Sequence, residues 1–251
     1  MFDEAEFCGG RTLAVNALTG SHNYNLNTPS SDRDYKFFVF PNFDDLYAGR
    51  MFANSITSPN LDATCHDVRQ LVELVWKANL NFIEVLFSES CVRDSALDFA
   101  FIERDTLATM NLYTFFKATY GMHLMKIKDL RKGTGNTTNL VEQFGYDTKQ
   151  ACHALRCLYV ISRFMEYEYM GKALWFKDND PQRTVLLDVK AGKYTEGEFL
   201  DYVASWHNVW KDEAEKYYRA TVPDEENYKW AQNKLKKVVE GKLIKANRLM
   251  S

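Results

Sequence analysis

Residues 11–40 read RTLAVNALTGSHNYNLNTPSSDRDYKFFVF, and the two apolar runs in this stretch predict two strands, over 11–18 and 35–40. Asp32 and Asp34 come immediately before the second run. Side chains two residues apart on a strand point to the same face, so we expect these two carboxylates to be neighbours. Because neighbouring carboxylates repel each other, the pair favours a bound cation, and hard oxygen ligands of this kind suit Mg²⁺.

A turn at Gly20-Ser21 follows the first apolar run. Glycine allows a ligand to approach the backbone closely and serine adds a hydroxyl, and a triphosphate held against a metal needs both. The alternative is that the Asp-x-Asp pattern arose by chance and that both carboxylates are solvated residues at the edge of a strand. The order of strand, Gly-Ser turn, polar loop and acidic strand favours the metal site.

Length and composition are typical of a globular protein. The 251 residues suffice for one large domain or two smaller ones, and the net charge of −3 excludes a global basic field for nucleic acid. We expect neither a signal peptide nor a membrane-spanning segment, because charges interrupt the apolar stretches. The cysteines are Cys8, Cys65, Cys91, Cys152 and Cys157. Their scattered, odd-numbered set without a CxxC pair predicts reduced core thiols in a cytoplasm.

The hydrophobic pattern changes along the chain from mixed α/β to almost entirely helical at about residue 91. We therefore predict an α+β fold with a small mixed-sheet core over 1–95, followed by a larger α-helical domain over 96–251. A third strand is predicted within 54–65 and a helix opening at Asp67. Further helices are predicted over 104–131, 147–170, 195–218 and 224–247, a polar loop over 134–139, and a short apolar strand or turn over 184–189.

A second group of candidate residues lies at the start of the helix predicted over 147–170. Lys149, His153 and Arg156 are spaced by four and three residues, which places them on one helical face. Lysine and arginine would meet phosphate oxygens as charge-assisted donors, and histidine could donate to phosphate or orient a nucleophile. The alternative is an ordinary solvated helix face. A triphosphate site with an acidic metal pair needs cations from a second surface, and this requirement favours the anion-binding interpretation.

Three blocks of sequence resemble the DNA polymerase β-type nucleotidyltransferase superfamily. They are Thr19-Gly20-Ser21 with Asp32-Arg33-Asp34, the block from Asp62 to Ser88, and the block from Gly145 to Arg156. They are similar in particular to a branch of bacterial and phage nucleotidyltransferases that includes the RNA-repair type associated with RNA ligases. The resemblance covers most of the chain in the expected order. The chain departs from the pattern at Arg33, where the superfamily usually has an apolar residue between the carboxylates.

The resemblance implies a catalytic site with two Mg²⁺ (or Mn²⁺) ions on Asp32 and Asp34, and with Gly20 and Ser21 on the phosphates of an NTP. An acceptor hydroxyl would attack the α-phosphorus while pyrophosphate leaves. Superfamily members add a third carboxylate from a neighbouring strand. Asp62 is the first candidate for it, Asp67 the second because its role as a helix N-cap already explains it, and Glu84 the third. The implied location is a bacterial or phage-infected host cytoplasm.

Two classes of function remain open from the sequence. The first is a metal-dependent nucleotidyltransferase that moves an NMP from an NTP to an acceptor hydroxyl, with an RNA end, a protein side chain or a small molecule as acceptor. The second is a catalytically idle nucleotide- or RNA-binding module. Two basic clusters could follow a phosphate backbone or could be solvated helix faces. They are Lys126, Lys128, Arg131 and Lys132, and Lys234, Lys236, Lys237, Lys242 and Lys245. The oligomeric state is not determined by the sequence.

Overall fold

The structure, a computed structural model, describes residues 2–29, 31–58, 61–133 and 137–250, with backbone alone for 246–250. It confirms the predicted α+β class, since a mixed sheet lies in the first part of the chain and helices dominate the remainder. Among the described residues, no helix is both long enough and apolar enough to cross a lipid bilayer.

The sheet carries five strands in the described part of the chain: β1 (Leu13–Thr19), β2 (Arg33–Val39), β3 (Ala53–Ser58), β4 (Leu61–Asp67) and β5 (Cys91–Arg93). Their order is β3-β4-β2-β1-β5, and β2 and β4 run parallel while the other neighbours are antiparallel. The two strands predicted first are therefore confirmed. The single strand predicted within 54–65 is instead an antiparallel pair, β3 and β4, and residues 59–60 between them lie outside the described residues.

Fourteen α-helices occur in the described residues. They are α1 (Glu4–Phe7), α2 (Gly20–Asn23), α3 (Phe43–Tyr47), α4 (Leu71–Trp76), α5 (Leu80–Leu86), α6 (Asp98–Ile102), α7 (Arg104–Thr109), α8 (Leu112–Lys128), α9 (Thr138–Phe144), α10 (Thr148–Tyr167), α11 (Met170–Leu174), α12 (Pro181–Lys190), α13 (Glu196–Arg219) and α14 (Glu225–Met250). Two short 3₁₀ helices cover Val68–Gln70 and Ser95–Leu97.

The chain forms two compact units. The first contains Met1–Asn23, Asn27–Met110 and Asp224–Ser251, and the second contains Tyr24–Leu26 and Asn111–Pro223. The boundary at residues 95 and 96 stays a prediction about independently folding domains. The terminal helix α14 belongs to the first unit, where Leu235 and Val239 lie in the same buried cluster as residues of the sheet.

The sheet buries a different apolar cluster on each face. On one face, Phe37 and Cys65 pack with Phe7 of α1. On the other, Val15 and Phe38 belong to a larger core that includes α4, α5 and α14. The alternation of buried side chains along β1 and β4 follows from the two-residue period of a strand. Both faces are therefore covered along the middle of the sheet.

Several predicted helix boundaries are confirmed by their caps. Asp67 caps the 3₁₀ helix before α4, and Asp147 caps α10 through a hydrogen bond from the Gln150 backbone. Thr195 and Glu198 form the reciprocal capping box predicted for α13. These signals lie within three residues of each other in sequence, which is why local patterns find them.

Other predicted elements were wrong. The helix predicted over 104–131 is divided into α7 and α8, because the chain bends at Asn111 and the Met110 carbonyl accepts a hydrogen bond from the Asp224 backbone. The predicted strand or turn over 184–189 is helix α12, which Asp180 caps with a proline at its first turn. Of the loop predicted over 134–139, residues 134–136 lie outside the described residues and Thr138 already begins α9.

Arg163 of α10 anchors the second unit. Its side chain is about 5% exposed, forms an ion pair with Asp180, and donates to the carbonyls of Lys172, Ala173 and Trp175. Replacing it with methionine (R163M) should lower the free energy of unfolding by about 3 kcal/mol or more, since a buried network would lose its cation. Chemical denaturation measures the loss. In the control R219M, we expect about 1 kcal/mol or less, because Arg219 is exposed and pairs with Glu215 one turn away on the surface of α13.

Candidate active site

The candidate site begins where β1 ends, at Gly20. Its φ of +66° lies in the left-handed region, and a Cβ built on it would lie 1.9 Å from Oδ2 of Asp34. The Thr19 hydroxyl also donates to the Asp34 backbone carbonyl at 3.2 Å. Glycine is therefore required here both by the turn and by the approach of the Asp34 carboxylate, so the turn and the acidic strand form one local structure.

The register of the sheet brings a further carboxylate beside Asp34. In the parallel pair β2 and β4, Asp34 stands opposite Asp62, so their side chains project from the same face of the sheet. Their Cα atoms are about 4.8 Å apart, the usual spacing of neighbouring strands. Asp32 lies two residues before Asp34, one position outside β2, at the same end of the sheet. The three residues chosen from the sequence as metal ligands therefore share one edge of the fold.

Glu84 stabilises the turn at Gly20 through a hydrogen bond. It is only 3% exposed, and its Oε2 accepts a hydrogen bond from the Gly20 backbone N–H at 2.9 Å. The Glu84 backbone carbonyl accepts a second hydrogen bond, from the Asn23 side chain at 3.1 Å. The third candidate for a metal-binding carboxylate is thus engaged in holding α2 against α5. In this arrangement Glu84 positions Gly20.

Asp67 lies far from this edge. It is five residues beyond Asp62 on β4, which places it on the opposite face of the sheet and about 17 Å away along the strand. Its side chain is fully buried and accepts hydrogen bonds from Nε and Nη2 of Arg69 at 2.9 and 2.6 Å. This carboxylate also raises the pKa of Arg69. The structure therefore brings Asp62 to Asp34 and leaves Asp67 in a separate structural ion pair.

Three polar residues of the same face were not identified from the sequence. Lys36 follows Asp34 by two residues, Thr64 is its partner on β4, and the Thr57 hydroxyl donates to Asp62 Oδ1 at 3.2 Å. The Thr64 hydroxyl is buried without a hydrogen-bond partner among the described residues. Two-residue periodicity from Asp34 could have indicated Lys36. Thr57 and Thr64 depend on strand pairing, which the sequence pattern does not specify.

Lys36 also acts on His66, the next residue but one after Thr64 on β4. Burial and, next, the positive charge of Lys36 hold the pKa of His66 below its usual value. The imidazole packs against Phe38 and Phe82, with ring centroids at 5.6 and 5.1 Å. These contacts agree with a core position for His66.

The carboxylates of Asp32, Asp34 and Asp62 are suitable donors for a divalent cation, and their backbone positions lie at the same end of the sheet. Carboxylate oxygens on neighbouring strands are the ligand type that Mg²⁺ and Mn²⁺ prefer. As placed in the described residues, no group of three or more histidine, cysteine, aspartate or glutamate side chains is arranged to hold a metal ion. The Ser21 hydroxyl next to this edge is buried without a hydrogen-bond partner among the described residues.

The predicted cationic residues lie on α10 in the second unit. Lys149 is exposed, His153 is half-buried, and Arg156 is about 6% exposed. Arg156 Nη2 lies 2.5 Å from His153 Nε2, and the guanidinium carbon is 3.8 Å from the centre of the Tyr24 ring. An arginine can only donate, so His153 Nε2 accepts and the imidazole is neutral in this arrangement.

The two predicted basic clusters are partly neutralised. Arg131 forms a bidentate pair with the two carboxylate oxygens of Glu196, and Lys132 pairs with Asp129 at 2.5 Å. On α14, Lys242 pairs with Asp94. These pairs favour solvated helix faces over a continuous path for a phosphate backbone. The five cysteines are free, and all but Cys91 are buried, as predicted for core thiols.

Comparison with known proteins does not assign the chain to a family. No family model matches the chain, and no curated protein matches it. The resemblance read from the sequence motifs therefore stays a prediction, and the function has to be argued from the residues themselves.

Proposed function

We propose that the first unit is the catalytic core of a metal-dependent nucleotidyltransferase. It would move an NMP from an NTP to an acceptor hydroxyl and release pyrophosphate. The observation that carries the proposal is the register of β2 and β4, which sets Asp62 beside Asp34 while Gly20 packs directly against the Asp34 carboxylate. A glycine turn, a serine hydroxyl and neighbouring carboxylates at one edge are the groups that this chemistry needs.

Each residue has a separate role in the proposal. Asp32, Asp34 and Asp62 would hold Mg²⁺ or Mn²⁺, which when bound neutralises charge on the reacting phosphates. The Gly20 N–H already donates to Glu84, and in the proposal the buried Ser21 hydroxyl donates to a phosphate oxygen. An acceptor oxygen bonds to the α-phosphorus, the bond from that phosphorus to the bridging oxygen of pyrophosphate breaks, and the acceptor proton passes to a carboxylate or to water.

Substitution of Asp62 should lower the rate of NMP transfer, whereas substitution of Asp67 should lower the free energy of unfolding. With D62N we expect transfer of labelled NMP to fall by roughly 10²-fold or more, since a metal ligand is lost, with little change in unfolding. With D67N we expect the free energy of unfolding to fall by about 2–3 kcal/mol, because a buried partner of Arg69 loses its charge. The transfer rate is measured at a temperature where both variants are folded. The free energy of unfolding is measured from denaturation curves. Full activity in folded D62N would contradict the assignment of the third carboxylate.

A nucleotide- or RNA-binding module without catalysis is the second candidate. The lack of an assembled three-ligand group in the described residues favours it. Incubation of the full chain with labelled NTPs and Mg²⁺ or Mn²⁺ separates the two candidates, because an enzyme releases pyrophosphate or labels an acceptor. The same assay, repeated with RNA ends, proteins and small hydroxyl compounds, identifies the acceptor class.

The free thiols support a reducing location. Cys8 and Cys65 lie in the same buried cluster, and burial raises the pKa of Cys65 to about 12. Reduced thiols favour a cytoplasm as the location of the activity, and a bacterial or phage-infected host is what the sequence resemblance implies.

A further inference from the structure

A lysine and a threonine occupy the sheet positions next to the acidic pair. Lys36 of β2 stands opposite Thr64 of β4, and both project from the face that carries Asp34 and Asp62. Two residues along a strand correspond to about 6.6 Å, so the two pairs are direct neighbours. A basic group and a hydroxyl therefore adjoin the candidate metal ligands on one face of the sheet.

Lys36 is half-buried, and in the described part of the chain it forms no ion pair, although two carboxylates lie on its face. Its Nζ lies 5.4 Å from the centre of the Phe82 ring of α5. A ring at this distance compensates the charge of an ammonium group less than an anionic oxygen does. The Lys36 side chain therefore offers its charge-assisted donors to an anion.

The Thr64 hydroxyl is buried, and it has no hydrogen-bond partner among the described residues. The same holds for the Ser21 hydroxyl, which follows the turn at Gly20. Buried polar groups are nearly always hydrogen-bonded in folded proteins, because an unpaired hydroxyl loses its contacts with water and gains nothing in return. Two such hydroxyls beside one acidic edge indicate a bound molecule that accepts hydrogen bonds.

The charges around Lys36 indicate the chemistry of that molecule. A simple carboxylate would be repelled by Asp34 and Asp62, and a neutral molecule would leave the charge of Lys36 without compensation. A polyphosphate with a divalent cation fits both sides, because its metal ion meets the carboxylates and its oxygens meet the lysine. One phosphate group has enough oxygens to accept from an ammonium and from a hydroxyl together.

We propose that Lys36 and Thr64 form a phosphate-binding subsite next to the acidic pair. Lys36 Nζ and the Thr64 hydroxyl donate to oxygens of one phosphate group of a metal-bound polyphosphate. The subsite deepens the proposed function, on which the identity of that polyphosphate as an NTP rests. Lys36 stabilises negative charge and transfers no proton, and its ammonium group turns from the Phe82 ring to the phosphate when the ligand binds.

Removal of the Lys36 charge should affect metal and phosphate in opposite directions. The ammonium repels a cation held by Asp34 and Asp62, and it attracts an anion. With K36M we expect the affinity for Mn²⁺ to stay equal or to rise by up to about threefold. The affinity for inorganic triphosphate, titrated with Mn²⁺ in excess, should fall roughly tenfold or more, because a charge-assisted contact is lost. K36R should keep most of the triphosphate affinity.

Calorimetric titration of the full chain measures both affinities. K77M is the matched control, since Lys77 is an exposed lysine of the same unit that pairs with Glu73, and it should change the triphosphate affinity by less than about twofold. Equal triphosphate affinities of folded K36M and K77M would overturn the subsite. A loss of Mn²⁺ affinity in K36M as large as its loss of triphosphate affinity would also overturn it, since the lysine would then support the structure of the edge.

T64V tests the subsite without changing a charge. Valine has the shape of threonine, and the hydroxyl that it replaces has no partner among the described residues, so the Tm should equal or exceed that of the wild type. The triphosphate affinity should nevertheless fall by about threefold to tenfold, with Mn²⁺ affinity unchanged. An unchanged triphosphate affinity of T64V would remove the hydroxyl from the subsite.

The same titrations distinguish failure of this subsite from failure of the proposed function. A wild type that binds triphosphate in a manner dependent on Lys36 but transfers no nucleotide would leave the subsite standing and remove the transferase. A wild type that transfers nucleotide, with K36M and K77M equal in KM and in triphosphate affinity, would keep the transferase and remove the subsite.

Discussion

Replacing Asp34 with asparagine should reduce NMP transfer by on the order of 10³-fold. A metal ion contributes several kcal/mol of charge stabilisation in such a transition state, and about 1.4 kcal/mol corresponds to a factor of ten. Asparagine keeps the shape of the side chain and its fit against Gly20, so the fold should survive.

Metal binding provides a readout besides activity. Mn²⁺ should raise the Tm of the wild type, since a ligand that binds only the folded state stabilises it, and it should do so much less in D34N. D44N is the matched control because Asp44 is an exposed aspartate of α3 in the same unit. It should behave as the wild type in both measurements. Loss of stability in D34N together with an unchanged response to Mn²⁺ would instead assign Asp34 a structural role.

Replacing Gly20 with alanine should impair both stability and activity. The left-handed backbone costs an alanine about 1–2 kcal/mol, and the new Cβ would lie 1.9 Å from Oδ2 of Asp34. Either the Asp34 carboxylate or the turn has to move, which displaces a metal ligand from Asp62. We expect transfer to fall by roughly 10²-fold and the free energy of unfolding to fall by about 2 kcal/mol or more.

Substitution of Gly10 separates the effect of backbone strain from the effect of the clash with Asp34. Its φ is +67°, yet a Cβ there would meet no atom within 4 Å. G10A therefore carries the backbone strain without the clash, and it should lose about 1–2 kcal/mol of stability with its transfer rate retained. Stopped assays at a temperature where both variants are folded compare the rates. Equal activity of G20A and G10A would show that the contact between Gly20 and Asp34 has no part in the reaction.

The sequence predicted the acidic pair and the glycine turn of the candidate site, but it did not decide which residue supplies the third carboxylate. Asp32 and Asp34 were found from their spacing, and the Gly20-Ser21 turn from its residue types, because both signals are local. The choice among Asp62, Asp67 and Glu84 stayed open at that level. The sheet register separates them, since Asp62 pairs with Asp34, Asp67 pairs with Val39 at the far end, and Glu84 binds the Gly20 backbone.

The same distinction applies to α8 and α10. The spacing of Lys149, His153 and Arg156 predicted a shared helical face, but Lys126 is 27 residues before His153. Its charge acts on His153 only because α8 packs against α10. Helix α12 is an element that the local pattern predicted wrongly. The apolar run there suggested a strand or turn, but burial of Leu186 and Val189 along one face selects a helix.

The sequence by itself determined the elements whose causes lie within a few residues: the acidic pair before β2, the glycine turn after β1, and the caps of α10 and α13. The tertiary structure alone decided which carboxylate stands beside Asp34, which backbone group Glu84 binds, and that α8 packs against α10. The physical reason is that register and helix packing depend on the burial of whole faces, which joins residues far apart in the chain. Local propensities do not specify those contacts.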